Sequence, residues 1–512
     1  MRQALSGPQI KRPSRLVSIF AGSLRVDLNG PLIDTLSPWS QSLTMTSHHT
    51  STVPFFKLAA THGKLLVGLL TAQLLFPQLG NAADTWPDFR GPGGDGHVAA
   101  KGDSKMHGVP VHWSDTKNVQ WKTRLPLLGL SSPVVMDDRI WLTTASEEGH
   151  DFFVICVDAN SGDILANKKI FHSDDPQSLG NGRQDNSYAT PSAVLESGRV
   201  YVHFGSFGTA CLDAQSFEVI WKRDDMPCWH YRGASSSPVL FKELLILTFD
   251  GADQQYHIAL NKKTGKTAWR TDRSAIWNDE HVENRMVQEG DWRKAHSTPL
   301  IVEQGGKARL FSVGAKAAYA YDPSTGKELW RFDHGAYSAA PRPLYDKDHV
   351  IFVTGFSRGA QMVSVKAGGS GVVTDTHLHW ANKSPFPKYS SPIVVEDLIY
   401  MALDDSFLVC IEAHTGETVW KERVGGKFRA CPVYVDGLLY FSSLEGVTTV
   451  IKPGRAFEII ATNPLEEGVA NDDPRRGPGF MASPAVVGSA FFLRTRHHLF
   501  RIEKDEPHLL ER

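Results

Sequence analysis

The chain has 512 residues, 41% of them hydrophobic, and carries 54 Lys and Arg against 56 Asp and Glu. A balance this close to neutral supplies no field that would draw the chain to nucleic acid or to an anionic membrane surface, so both are excluded as partners at the level of the whole chain. With 44 glycines and 29 prolines, many short strands joined by tight turns are expected rather than long helices.

The first 83 residues differ from the rest. Lys57 and Lys64 precede the apolar run Leu65 to Phe76, Pro77 ends it, and Gly80-Asn81-Ala82 offers small residues at the spacing a signal peptidase accepts. Residues 45–83 therefore read as a secretory signal peptide opening at Met45, and residues 1–44 as a gene-model extension or an unstructured leader. The apolar run has 12 residues, short of the roughly 20 that a membrane span needs. No cysteine precedes Cys156, so no lipid acceptor stands directly behind the signal. An exported protein, periplasmic or extracellular, with neither membrane span nor lipid anchor is expected. Residues 84–117 read as a cap segment.

From residue 118 onward the chain repeats. Eight segments start with a proline that opens an apolar run, at Pro133, Pro191, Pro238, Pro299, Pro341, Pro392, Pro432 and Pro484, spaced by 40 to 61 residues. That spacing surrounds the period of a four-stranded propeller blade. Within most units an apolar strand, an acidic or glycine turn and a second strand follow, as in Pro432-Val-Tyr-Val-Asp-Gly-Leu-Leu-Tyr-Phe441, which is a hairpin signal. A second turn comes later, in Asp158-Ala-Asn-Ser-Gly162, Asn261-Lys-Lys-Thr-Gly265, Asp322-Pro-Ser-Thr-Gly326 and Glu412-Ala-His-Thr-Gly416. There the acidic or amide side chain can accept a backbone N–H and the glycine can take a positive φ.

Four residues past that glycine stands a tryptophan in three units, Trp269, Trp330 and Trp420. Trp221 and Trp380 hold equivalent places, and Trp121 joins the series although it precedes the first repeat proline. Indoles in phase predict packing between neighbouring blades. The last unit is too short for a fourth strand, and residues 118–124 can supply it. The expected fold is all-β: an eight-bladed propeller of four-stranded antiparallel blades over 118–512, its last blade closed by an N-terminal strand that leaves no free sheet edge.

Cys156, Cys211 and Cys410 recur at one place between apolar neighbours and read as buried hydrophobes. Cys228 and Cys431 lie outside the pattern, and whether they pair is left open by the sequence. Loops between blades should emerge on the same face as those between second and third strands, and their varied length marks that face for binding. Eight residues on or beside these loops are candidate ligand contacts: Tyr188, Trp229, His230, Arg232, Arg293, Lys388, Tyr389 and Arg429. An aromatic and basic rim suits an anionic, planar or sugar-like group; the competing reading has these groups capping the channel and bonding to each other. The acidic insertion Asp279, Glu280, His281 and Glu283, the loop His150 and the pair His497-His498 lack the spacing of a calcium or zinc site. No catalytic motif and no assignable catalytic residue stands out.

The Ser-Pro start, the Asp-Ala-x-Thr-Gly turn and the following tryptophan, as in Glu412-Ala-His-Thr-Gly-Glu-Thr-Val-Trp420 with Glu in the first place, resemble the repeat of pyrroloquinoline-quinone-like (PQQ-like) β-propellers over residues 118–503. Trp86-Pro-Asp-Phe-Arg-Gly-Pro-Gly-Gly-Asp-Gly96 further resembles the opening of secreted members of that family from planctomycete bacteria. The resemblance implies one of two roles. Quinoprotein dehydrogenases of the family hold PQQ between a tryptophan floor and a disulfide of adjacent cysteines, above calcium and beside an Asp base. This chain has no adjacent cysteines and no Cys-x-x-Cys-His haem motif. The other branch is a scaffold, here one that would recognise a protein, peptide or carbohydrate ligand on the loop-rich face. The scaffold is the leading reading. A PQQ- and calcium-dependent alcohol or sugar dehydrogenase is the alternative, with a lyase or hydrolase propeller behind both.

Overall fold

Each repeat folds as its pattern dictates. Three mainly apolar residues form a short first strand, and two residues in the left-handed region then reverse the chain, as at Asp137 and Asp138 (φ 53° and 56°) or Asp436 and Gly437 (φ 52° and 78°). Two successive positive φ values define the turn whose twist matches a β-hairpin. Second and third strands are almost wholly buried, Leu244–Asp250 and Gln255–Asn261 among them, whereas the fourth strands alternate, as in Val119–Arg124. Buried strands therefore pack between neighbouring blades, and each fourth strand faces outward on one side.

The computed structural model describes residues 85–99, 105–180, 185–277, 290–356, 359–465 and 479–505. The signal segment 45–83, the leader 1–44 and the insertion Asp279 to Glu283 lie outside these residues. Eight antiparallel sheets of four strands follow one another along the chain, and the fourth sheet gains the short parallel strand Gly371–Val372. The eighth sheet has the expected closure. Its outer strand is Val119–Arg124, paired antiparallel with His498–Ile502 in the register Lys122 to Phe500 and Arg124 to His498. Trp121 packs on Phe492, ring centroids 6.1 Å apart.

All six in-phase indoles dock on the next blade. The Nε1–H groups of Trp121, Trp221, Trp269, Trp330, Trp380 and Trp420 donate to the carbonyls of Ala159, Lys262, Pro323, Ala367, Ala413 and Gly454 at 2.9 to 3.2 Å. At four of the six junctions the turn glycine of the receiving blade, Gly162, Gly265, Gly326 or Gly416, lies against the indole. A Cβ on Gly162, Gly265 or Gly416 would stand 2.7 to 2.8 Å from Trp121, Trp221 or Trp380. At those four junctions sequence grammar and packing have one cause: the tryptophan lies on a bare turn. In the first blade Ala166 occupies the indole's place opposite Cys156, and Phe217 replaces the turn glycine in the second blade at φ 63°, where it packs on Trp141 and under Arg139.

The proline alignment is corrected in two units. First strands begin at Val194 and Leu344, so Ala193 and Pro343, not Pro191 and Pro341, match Pro133. The structurally constant position is the residue just before. It is Ser132, Ser192, Ser237, Thr298, Arg342, Ser391, Cys431 and Ser483 in the eight blades. At seven of the eight junctions these residues form a belt, each backbone N–H donating to the next side chain. Ser132 donates to Ser192, Ser192 to Ser237 and Ser237 to Thr298. Arg342 donates to Ser391, Ser391 to Cys431, Cys431 to Ser483 and Ser483 back to Ser132, at 2.9, 3.2, 3.0 and 2.9 Å.

Arg342 is the exception in the belt, and its side chain serves the N-terminal segment instead. Its Nη1 donates to Phe89 O at 2.6 Å and its Nε to Pro299 O at 3.1 Å, with Asp88 3.6 Å from Nη2. Arg90, buried, donates to Asp95 O and Pro392 O, both at 2.7 Å. Backbone bonds tie Trp86 to Val135, Pro87 to Leu195 and Gly96 to Tyr434. Residues 85–98 therefore cross from the first two blades to the seventh. All five cysteines are buried and free, Cys228 and Cys431 included. Burial pushes the thiols of Cys156, Cys211 and Cys410 up to about 12, as expected of small core hydrophobes.

Candidate functional site

The belt encloses the neck of an axial funnel with a cavity of about 180 Å³. Phe89 lies at its base, the belt hydroxyls and the Cys431 thiol line the neck, and side chains from the between-blade connections form the mouth. Of the eight sequence candidates, Arg232, Lys388, Tyr389 and Arg429 line this one cavity. They come from the connections entering the third, sixth and seventh blades, so only the closed ring brings them together.

Arg429 is held in the mouth by Tyr389, Asp185 and the Phe428 carbonyl. Its guanidinium carbon sits 3.8 Å above the ring of Tyr389, and Tyr389 stacks on Phe356 at 6.4 Å between centroids. Nε and Nη2 both point to Asp185 Oδ1, at 3.4 and 3.3 Å, and Nη1 donates to Phe428 O at 3.3 Å. Tyr389 donates its hydroxyl to Asp185 Oδ2 at 3.4 Å. Burial and the Asp185 charge push the Tyr389 phenol up, so it stays a donor. Lys388 pairs with Asp404 at 3.1 Å. On the opposite side Asn186 Nδ2 donates to Arg232 O at 2.6 Å and to Ser235 Oγ at 2.9 Å, and Ser235 also hydrogen-bonds His296 Nδ1 at 3.0 Å. Enclosure, with the charges of Lys294 and Arg232, holds His296 well below the usual imidazole range; it is a neutral group.

The other four candidates lie elsewhere. Tyr188 is buried and packs edge-on against Phe152 and Phe207. His230 is also buried, 5.7 Å from the Phe249 ring, with a pKa driven well below the ordinary value first by burial and then by Lys294. Trp229 is exposed and packs edge-on against Tyr231. Arg293 lies over Trp277, 5.2 Å from its ring. Sequence reasoning missed Asp185, Asn186 and Phe356. A signal for the first pair existed: Asp185-Asn186 ends a long connection whose next polar residues start a blade.

A quinone site of the kind the resemblance implies needs a flat indole floor, a covering thiol pair and several oxygen ligands for calcium. Among the described residues lining the funnel there is no tryptophan, a single carboxylate (Asp185) and one cysteine, Cys431, whose sulfur belongs to the belt. The cavity is also below the roughly 300 to 1,000 Å³ typical of pockets that bury small ligands. The described residues lining the funnel do not fit the quinone and its cation. Among the described residues no three His, Cys, Asp or Glu side chains gather as metal ligands, and no helix is long and apolar enough to cross a membrane.

Residues 254–369 and 318–453 match the family described as outer membrane protein assembly factor BamB. Among solved structures, a europium-containing methanol dehydrogenase aligns with TM-score 0.58 and 11% identity, covering 80% of this chain and 89% of its own. Quinohemoprotein alcohol dehydrogenase from Comamonas testosteroni aligns with TM-score 0.53 and 13% identity, covering 84% and 82%. BamB from Moraxella catarrhalis gives 0.49 and 13%, covering 76% and 98%. No curated protein matches the chain. At these identities the likeness to the two dehydrogenases speaks for the fold alone, and the repeat match makes residues 254–453 similar to the PQQ-like propeller repeat.

Proposed function

We propose that this PQQ-like β-propeller is an exported recognition scaffold that takes a protein, peptide or carbohydrate ligand at the loop-rich mouth of its axial funnel. The observation that carries the reading is the convergence of Arg232, Lys388, Tyr389 and Arg429, from three separate connections, on one narrow cavity. A funnel of this size, with Phe89 at its base, suits a single projecting group of a larger ligand. Charged groups at such a mouth steer encounter and fix register, while the ring of blades holds them rigidly. The dehydrogenase alternative draws on the fold shared with quinone enzymes and is opposed by the funnel's donor set.

In this reading residues 45–83 direct export, residues 84–117 cap the ring and residues 118–512 form it. The test is binding of the mature protein to arrayed peptides and glycans, repeated with the double substitution Arg232→Gln and Lys388→Gln. Ligands bound by the parent and lost by the variant, with thermal stability unchanged, support the reading. Ligand binding indifferent to the mouth would overturn it.

A further inference from the structure

We infer that the group the funnel takes is a carboxylate, held by Arg429 and Tyr389, and that Asp185 is an internal competitor occupying that place. The inference rests on the funnel being a recognition site. Its basis is the geometry around Asp185. This carboxylate reaches Arg429 and Tyr389, 244 and 204 residues away in sequence, through three contacts of 3.3 to 3.4 Å. Charge-assisted bonds between a guanidinium and a carboxylate normally close to about 2.7 to 2.9 Å. Nε and Nη2 both address the same oxygen, Oδ1, so the paired fit of two nitrogens to two oxygens is not made. The receptor half is nonetheless preorganised. Arg429 is stacked on Tyr389, and its side chain is 15% exposed against 42% for Asp185. A rigid, shielded guanidinium and a phenol donor are thus loosely held by a half-exposed acid that a better-placed carboxylate can displace.

The planar fork of arginine matches a carboxylate, and the residue already in place has that shape. The source favoured is an acidic side chain of a peptide. A single Glu or Asp side chain suits the narrow cavity.

The probe is a fluorescent, end-blocked hexaglutamate peptide, titrated by anisotropy into the mature propeller, with galacturonate and inorganic phosphate as competitors. The parent should bind, Arg429→Gln should abolish binding, and Asp185→Asn should tighten it roughly fivefold, the upper worth of a half-exposed ion pair. Melting temperatures serve as folding controls. Unchanged or weaker binding by folded Asp185→Asn overturns the competitor role. Absence of binding of both the peptide and galacturonate by parent and Asp185→Asn overturns the carboxylate assignment. Arg429-dependent binding of phosphate alone does so too, whereas Arg429-dependent binding of galacturonate in place of the peptide overturns the peptide source; both leave the recognition reading standing. That reading falls separately, if mouth variants leave all ligands bound.

Discussion

The backbone N–H of Ser483 donates to the hydroxyl of Ser132 at 2.9 Å, joining the eighth blade to the first across 351 residues of sequence. Beside it Arg494, fully buried, gives Nη1 to Ser131 O at 2.8 Å and Nη2 to Thr143 O at 3.2 Å. The seam is therefore closed at the neck by the belt and the arginine, and at the rim by Trp121 on the turn at Ala159.

Breaking either end of the seam should loosen the whole ring, because an unclosed propeller exposes two sheet edges. Arg494→Met removes the arginine donor from Ser131 O and leaves Thr143 O only the longer bond from the Ser131 hydroxyl, and should cost about 2 kcal/mol. Trp121→Ala removes a half-buried indole and should cost about 2 to 3 kcal/mol, below the full price of a buried aromatic. Urea unfolding of both variants checks this; values within experimental error of the parent would mean that the seam contributes nothing.

The turn glycines divide into two classes with different costs. Gly416 has φ +75° and a Cβ there would stand 2.8 Å from Trp380, whereas Gly437 has φ +78° and open space around it. Gly437→Ala should cost only the left-handed strain, about 1 kcal/mol. Gly416→Ala should cost about 3 kcal/mol, since the indole must also move. Equal losses in the two variants would contradict indole docking as the reason for the glycine.

Six histidines are held below their usual range chiefly by burial, His203 and His334 down to about 3, His230, His257 and His296 well below 6.5, and His379 also downward. The unfolded chain takes these protons near pH 6.5 and the fold resists them, so stability is intact above pH 6.5 and falls as pH drops from there toward 3. His203 and His334 should each remove about 1.4 kcal/mol between pH 7.5 and 5.5. Urea midpoints across that window should fall, and His203→Gln should flatten the slope by one proton. A parent slope unchanged in that variant would show that His203 titrates normally.

Arg342 stands where seven blades carry Ser, Thr or Cys and holds Phe89 O instead. Arg342→Ser should free the segment around Arg90, which is now buried. Trypsin cleavage at Arg90 should accelerate at least about tenfold, the signature of local opening. An unchanged cleavage rate would mean that the segment is fixed without Arg342, by its backbone pairing with Val135, Leu195 and Tyr434 and by the bonds of Arg90.

The blades were legible because a short apolar strand, a left-handed turn and an indole over a bare glycine each leave a local mark. Two starting registers were misread at Pro191 and Pro341, since the constraint falls on the belt residue and not on the proline. At the mouth, Arg232, Lys388, Tyr389 and Arg429 were found from their nearness to a blade start. Tyr188 and His230 share that nearness, but their connections fold back so that the rings sink against Phe152 and Phe249. Asp185 was missed because its role depends on partners more than 200 residues away, which no local pattern records.

Titration of the mature protein with calcium and PQQ, followed by absorbance and by dye-linked oxidation of an alcohol and sugar panel, tests the account most directly. A funnel built for a projecting group predicts neither a saturable spectral change nor dye reduction. Saturable quinone binding accompanied by turnover would contradict it.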